Sequence, residues 1–215
     1  MDRRASLKAL LALPALLALP AAAPADDQPS LPAADDREGS GSRESVVNAH
    51  GGPIVPPVSV PDARLQLADG THTDLRSLMV GKLTALQFVF TRCTTTCPMQ
   101  AAIFQRVQHI LAERMPRDFQ LISISIDPEQ DSPAALSEWL GRFEAGPGWV
   151  AAVPNRADLA RIQAFFAGSS DTLTSHATQV QIIDRRARLI WRTNELPSAQ
   201  SVASLLQHAG AVSDA

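Results

Sequence analysis

Past residue 57 the chain switches repeatedly between two hydrophobic periods, and each switch marks an element. Residues 83–90 form a near-continuous apolar run, the pattern of a strand buried on both faces. Residues 119–126 repeat it. Between them, residues 97–114 place Ile103, Val107, Ile110 and Leu111 on one helical stripe. Ser132-Pro133 opens a second helix as N-cap and first-turn proline, with Leu136, Trp139, Leu140 and Phe143 on one face. Residues 149–153 read as a short strand. Asn155-x-x-Asp158 starts a further helix that turns Leu159, Ile162, Phe165 and Phe166 inward and stops at Gly168. Residues 180–183 and 188–192 flank a turn at 184–187, and Ser198 caps a last helix carrying Val202, Leu205 and Leu206. Ahead of these, residues 58–67, the Ala68-Asp69-Gly70 turn and residues 71–75 predict a strand, a tight reversal and a short return.

The first 57 residues follow neither period. Arg3, Arg4 and Lys8 precede an apolar stretch at 7–19, and Ala23-Pro24-Ala25 supplies a small-residue cleavage site. Residues 1–25 therefore read as an export signal, too short and too interrupted by Pro14 for a spanning helix. The paired arginines resemble a twin-arginine signal, with Ser6 where that pattern prefers an aromatic. Residues 26–57, rich in Pro, Ser, Gly and Asp and including His50, read as a flexible tether, and residues 210–215 as a tail. Residues 58–209 form one domain. A net charge of −3 without a basic block excludes nucleic acid and anionic membrane surfaces as partners. Export places the mature chain outside the cytoplasm, in a periplasmic or other extracytoplasmic space. It stays tethered to the membrane if the signal is retained.

The chain has 2 cysteines, and both lie in Cys93-Thr-Thr-Thr-Cys97-Pro98, directly after the first buried strand. Pro98 belongs in a first helical turn, so one of Thr94, Thr95 or Thr96 serves as N-cap and Cys97 falls where the helix dipole favours an anion. Such a pair can close a disulfide or chelate one ion, since thiolate is both nucleophile and soft-metal ligand. A purely structural bridge over so short a loop would remove little chain entropy. In an oxidising compartment the pair stays reduced only where a thiol reductant serves it. With the order βαβα(β)α, then a hairpin and a helix, this dithiol predicts an α/β fold. The expected form is a thioredoxin-like three-layer sandwich with a mostly parallel central sheet and an N-terminal β-hairpin extension.

The alternatives differ in what completes the dithiol. A thiol–disulfide reductase needs only Cys93 as attacker and Cys97 as resolving thiol. A closed zinc site needs four ligands. The peroxidase pattern Pro-x-x-x-Thr-x-x-Cys is missing, with Leu86 and Phe90 in its first two positions. No nucleotide, haem or flavin fingerprint is present. His72, His109 and His208 fall on surface positions, Asp127 opens an Asp-Pro turn or orients a ligand, and Met99 reads as packing.

Three segments together resemble the Sco/SenC copper-delivery proteins: Phe90-Thr-Arg-Cys93-Thr-Thr-Thr-Cys97-Pro98, Ile126-Asp127-Pro128-x-x-Asp131-Ser132-Pro133, and Ser175-His176 ahead of a strand. Pro147-Gly148-Trp149 is similar as well. The resemblance implies that Cys93, Cys97 and His176 bind one copper ion. It implies as partner the dinuclear copper centre of cytochrome c oxidase subunit II, or the cysteines that form that centre, with an upstream copper donor. Thr94 stands where members commonly have Pro, and Gln130 where the acidic motif often has Arg.

Overall fold

The structure, a computed structural model, describes residues 51–167 and 178–213. Its strands are β1 (Gly52–Ser59), β2 (Arg64–Leu67), β3 (His72–Asp74), β4 (Leu83–Val89), β5 (Phe119–Ser125), β6 (Trp149–Pro154), β7 (Gln181–Ile183) and β8 (Arg188–Arg192). Its helices are α1 (Leu75–Met79), α2 (Thr96–Ile110), α3 (Pro133–Arg142), α4 (Arg156–Ala167) and α5 (Ala199–Ser213). All strands join one 8-stranded sheet in the order β1-β8-β7-β4-β5-β6-β2-β3.

The two continuous apolar runs form the middle of this sheet, where every residue of β4 and β5 is buried. Alternation along a strand sends neighbouring side chains to opposite faces. Leu83, Ala85 and Val89 of β4 and Phe119 and Leu121 of β5 pack with Phe104 and Val107 of α2, Trp139 of α3 and Val202 and Leu206 of α5. Leu86, Phe88, Ile122 and Ile124 pack on the other side with Leu75 and Met79 of α1 and Ile162 and Phe166 of α4. Helices thus cover both faces, giving the three layers expected from the sequence.

The expectation of a mostly parallel sheet is corrected. Only β4, β5 and β6 run parallel, with β4 and β5 matched from Leu83 opposite Phe119 to Val89 opposite Ser125. The other neighbours are antiparallel. The reason is connection length: a hairpin reverses the chain within a few residues, so β2–β3 and β7–β8 can only pair antiparallel. The Asp-Gly turn itself is as predicted, with Gly70 at φ 87° and its N–H donating to the carbonyl of Leu67.

The predicted tether ends earlier than expected. Residues 52–59 form β1, which pairs with β8 and shifts register between Pro53 and Val58. Prolines at 53, 56 and 57 hide this strand from a period-2 reading, and Ile54 is its one fully buried residue. The inward stripe of α2 also differs. Cys97, Gln100, Ala101, Phe104 and Val107 are buried, whereas Ile103 and Ile110 are only partly covered. His72, His109 and His208 are exposed as predicted. Among the described residues no helix is long and apolar enough to cross a membrane. The export signal, His50, Gly168 and His176 lie outside the described residues.

Candidate metal centre and redox dithiol

The buried end of β4 delivers the chain to a short loop, in which the N–H of Cys93 donates to the carbonyl of Phe90 at 3.1 Å. Helix α2 then begins at Thr96, with Thr95 as N-cap but no side-chain oxygen of Thr95 bonded to the first turn. A sulfur takes that place: the N–H of Cys97 donates to Cys93 Sγ at 3.3 Å. The Thr95 and Thr96 hydroxyls stand 3.9 and 3.7 Å from the same sulfur. Pro98, third in the helix, has no N–H to satisfy and fits where it was predicted.

These surroundings split the two thiols. Burial opposes ionisation of Cys93, but the donors from Cys97, Thr95 and Thr96 outweigh it and bring its pKa down to about 6. Cys97 is 2% exposed, packed with Ala101 and Phe104. Burial, reinforced by the neighbouring Cys93 sulfur, pushes it up to about 12. The sequence placed the dipole's benefit on Cys97. The structure gives it to Cys93, because the first-turn N–H points back at the preceding sulfur while the Cys97 side chain faces the core. Both cysteines are free thiols, one partly exposed and one buried. The site therefore offers a ready thiolate beside a protonated reserve, suited to nucleophilic attack or, once the second proton leaves, to a two-sulfur chelate.

The loop's support comes largely from Asp131, which sequence reasoning only quoted within a motif. Asp131, 4% exposed, accepts from the Thr91 hydroxyl at 2.6 Å, the Thr91 N–H at 3.2 Å and the Ser125 hydroxyl at 2.6 Å. Asp127 turns the chain, its carbonyl accepting from the N–H groups of Gln130 and Asp131, and its carboxylate meets Arg92 at 3.0 Å. The Asp-Pro turn reading holds, and Asp127 also touches the neighbour of Cys93. A carboxylate just before the Ser132-Pro133 helix start was the available signal for Asp131. Met99 is 53% exposed, so the packing role expected for it is not found. His176 is the one predicted ligand outside the described residues. Among those described, no third His, Cys, Asp or Glu joins the two cysteines in a cluster. A cleft of about 710 Å³ is lined by residues 128–133 together with Arg64, His72 and Arg156, and neither cysteine lines it.

A dithiol carried from a central strand to a helix start, on a sheet covered by helices on both faces, defines a thioredoxin-like protein. The chain belongs to the SCO1/SenC family, whose model matches residues 64–209. It is similar to the SCO1 protein homolog of Bacillus subtilis (strain 168), 37% identical over 79 residues, which are 36% of this chain and 39% of that relative. The aligned part thus spans well under half of the curated relative. The structure of Bradyrhizobium japonicum ScoI with copper bound matches at a TM-score of 0.58 and 22% identity, over 75% of this chain and 99% of that one. BsSco, a member of the Sco family of cytochrome c oxidase assembly proteins in which a disulfide switch was identified, matches at 0.61 and 22%, over 72% and 94%. At these identities the two structures establish the shared fold.

Proposed function

We propose that this protein carries one copper ion as cargo, held by Cys93, Cys97 and His176, and delivers it to the dinuclear copper centre of cytochrome c oxidase subunit II or of another exported copper protein. The observation that carries this reading is the preformed dithiol, with Cys93 Sγ held over the start of α2 and ionised near neutral pH. Family membership and the copper-bound ScoI relative support it. Two thiolates alone favour Cu(I), and an imidazole from His176 extends the set to Cu(II). Three ligands also leave the ion open to transfer. An upstream donor supplies the ion, a thiol reductant keeps the pair reduced, and the export signal at 1–25 takes the domain to the periplasmic side. Anaerobic titration of the reduced protein should show one equivalent of copper bound, with a sulfur-to-copper absorption band in the oxidised state. Cys93→Ser or Cys97→Ser should each abolish binding as fully as the double variant. Near-wild-type affinity in either refutes the ligand set.

The split in thiol acidity favours a second reading, reduction of a client's disulfide without obligatory copper. The Cys93 thiolate attacks one client sulfur, forming a mixed disulfide and expelling the other as a thiolate. Cys97 then loses its proton, attacks Cys93 and releases the second client thiol, so two electrons pass and an internal disulfide forms. His176→Ala separates the readings. It should leave the disulfide formable while sharply weakening Cu(II) binding and stopping delivery at limiting copper. Full oxidase activity in a complemented deletion strain would favour the reductase.

A further inference from the structure

We propose that Asp131 is a positioning residue for the dithiol: its carboxylate fixes the root of the cysteine loop so that Cys93 Sγ meets the first turn of α2. The proposal rests on the dithiol and copper reading above. Asp131 sits in the tight turn after β5, its own N–H donating to the carbonyl of Asp127 at 2.9 Å, and it is almost wholly buried. A carboxylate removed from water must be met by donors, and every donor found here comes from the strand ends around the loop. Oδ1 takes the Thr91 hydroxyl at 2.6 Å, both oxygens share the Thr91 N–H at 3.2 Å, and Oδ2 takes the Ser125 hydroxyl at 2.6 Å. Ser125 Oγ in turn accepts the N–H of Asp127 at 3.0 Å.

Thr91 is the hinge of this arrangement. It follows β4 and lies two residues ahead of Cys93, while the N–H of Cys93 is tied to Phe90 next to it. With Thr91 held to β5 through Asp131, the loop leaves β4 at a fixed angle and its sulfur lands within reach of the Cys97 N–H. Without that tie the cap on α2 and the sulfur geometry drift together. An amide at 131 keeps one acceptor end but makes the other a donor, so the hydroxyl it faces must give up its own donated bond, and the charge that strengthened the remaining bonds is gone.

A suitable control exists in the same sheet. Asp184, 6% exposed, accepts from the N–H groups of Arg186 and Arg188 and from Arg188 Nε, in the turn joining β7 to β8. Its neighbour Ile183 pairs with Thr84, at the end of β4 remote from the cysteines. Asp184→Asn therefore loses a comparable set of bonds without touching the loop.

The test uses the purified reduced protein with three readouts: copper affinity by competition with a chromophoric chelator, the dithiol–disulfide equilibrium constant against glutathione, and thermal melting. Asp131→Asn and Thr91→Val should each weaken copper binding roughly tenfold or more, the usual range for losing a ligand's supporting partner. Both should also shift the dithiol–disulfide constant several-fold. The double variant should be little worse than the stronger single, because both remove one tie. Thr91→Ser, which keeps the hydroxyl, should restore wild-type values, and Asp184→Asn should lower melting while leaving the other readouts alone. Where Asp131→Asn fails to fold, Thr91→Val against Thr91→Ser decides. Unchanged affinity and equilibrium in both 91 and 131 variants, or changes no larger than those of Asp184→Asn, overturn the proposal. Should the wild type bind no copper, the function reading fails by itself, and the dithiol equilibrium still scores Asp131.

Discussion

Replacing Thr96 with Val tests the claim that hydrogen bonds to Cys93 set its acidity. The substitution removes a hydroxyl 3.7 Å from the sulfur but keeps the Cys97 N–H at 3.3 Å. In the wild type a pKa of about 6, against an ordinary 9.0, makes Cys93 about nine-tenths thiolate at pH 7 instead of about one hundredth. Intrinsic nucleophilicity falls as pKa falls, with a Brønsted coefficient of about 0.4–0.5, so the ~90-fold gain in thiolate shrinks to a rate advantage of only a few-fold. The diagnostic is therefore the pH profile and not the absolute rate. Alkylation of reduced protein by iodoacetamide, followed by mass spectrometry, should rise with a midpoint near pH 6 on Cys93, while Cys97 stays unlabelled to well above pH 9. Thr96→Val should move the Cys93 midpoint upward by a fraction of a unit, since the Thr96 hydroxyl is the least of the stabilising donors. A wild-type midpoint at pH 8 or higher, or equal labelling of both cysteines, refutes the reasoning.

The same shifts govern stability against pH. Cys93, acidified by folding, adds stability as pH rises from about 6 to 9, a contribution lost as pH falls back through 6; Cys97 opposes it, removing stability from 9 toward 12. Denaturant midpoints of the reduced protein, compared with Cys93→Ser and Cys97→Ser, should show the two trends separately. Phe104→Ala should lower stability by about 3–5 kcal/mol, because this fully buried ring packs edge-on against Trp149 at 5.8 Å. Gly148→Ala should lower the melting temperature, as φ is +95° there and a Cβ would come within 3.0 Å of Pro116. Gln87→Leu should be near neutral in urea unfolding: its Nε2 bond to Ser123 is lost, but a buried Oε1 without a partner among the described residues goes with it, a penalty of about 1–3 kcal/mol.

The elements that bury most apolar surface were the most legible in the sequence. The runs at 83–90 and 119–126 became β4 and β5 within a residue, and Ser132 caps α3 through Ala135 N as its Ser-Pro signature predicts. What failed were features decided by distant partners. Strand β1 exists because β8 offers it hydrogen bonds, and three prolines give no periodicity from which to infer that. Strand direction was misjudged because a list of elements does not say on which side of β4 the β7–β8 hairpin lands. On α2 the pattern chose Ile103 over Phe104, because Gln100 interrupts the stripe that is in fact buried. Cys93 and Cys97 were legible as a unit from spacing alone, but their opposite acidities depend on which sulfur faces the Cys97 N–H. Asp131 showed in the sequence only as a carboxylate ahead of a helix start, and its role as a support depends on Thr91, 40 residues away.

The two borders of the sheet bear on how this chain behaves in company. An unpaired strand border is a template on which another polypeptide can add itself, the first step toward fibres. Here one border, β1, has prolines at 53, 56 and 57, none with an N–H to offer, and a register break that spoils a straight ladder. The other, β3, is 3 residues long. The sheet is thus guarded against growth at both of its borders.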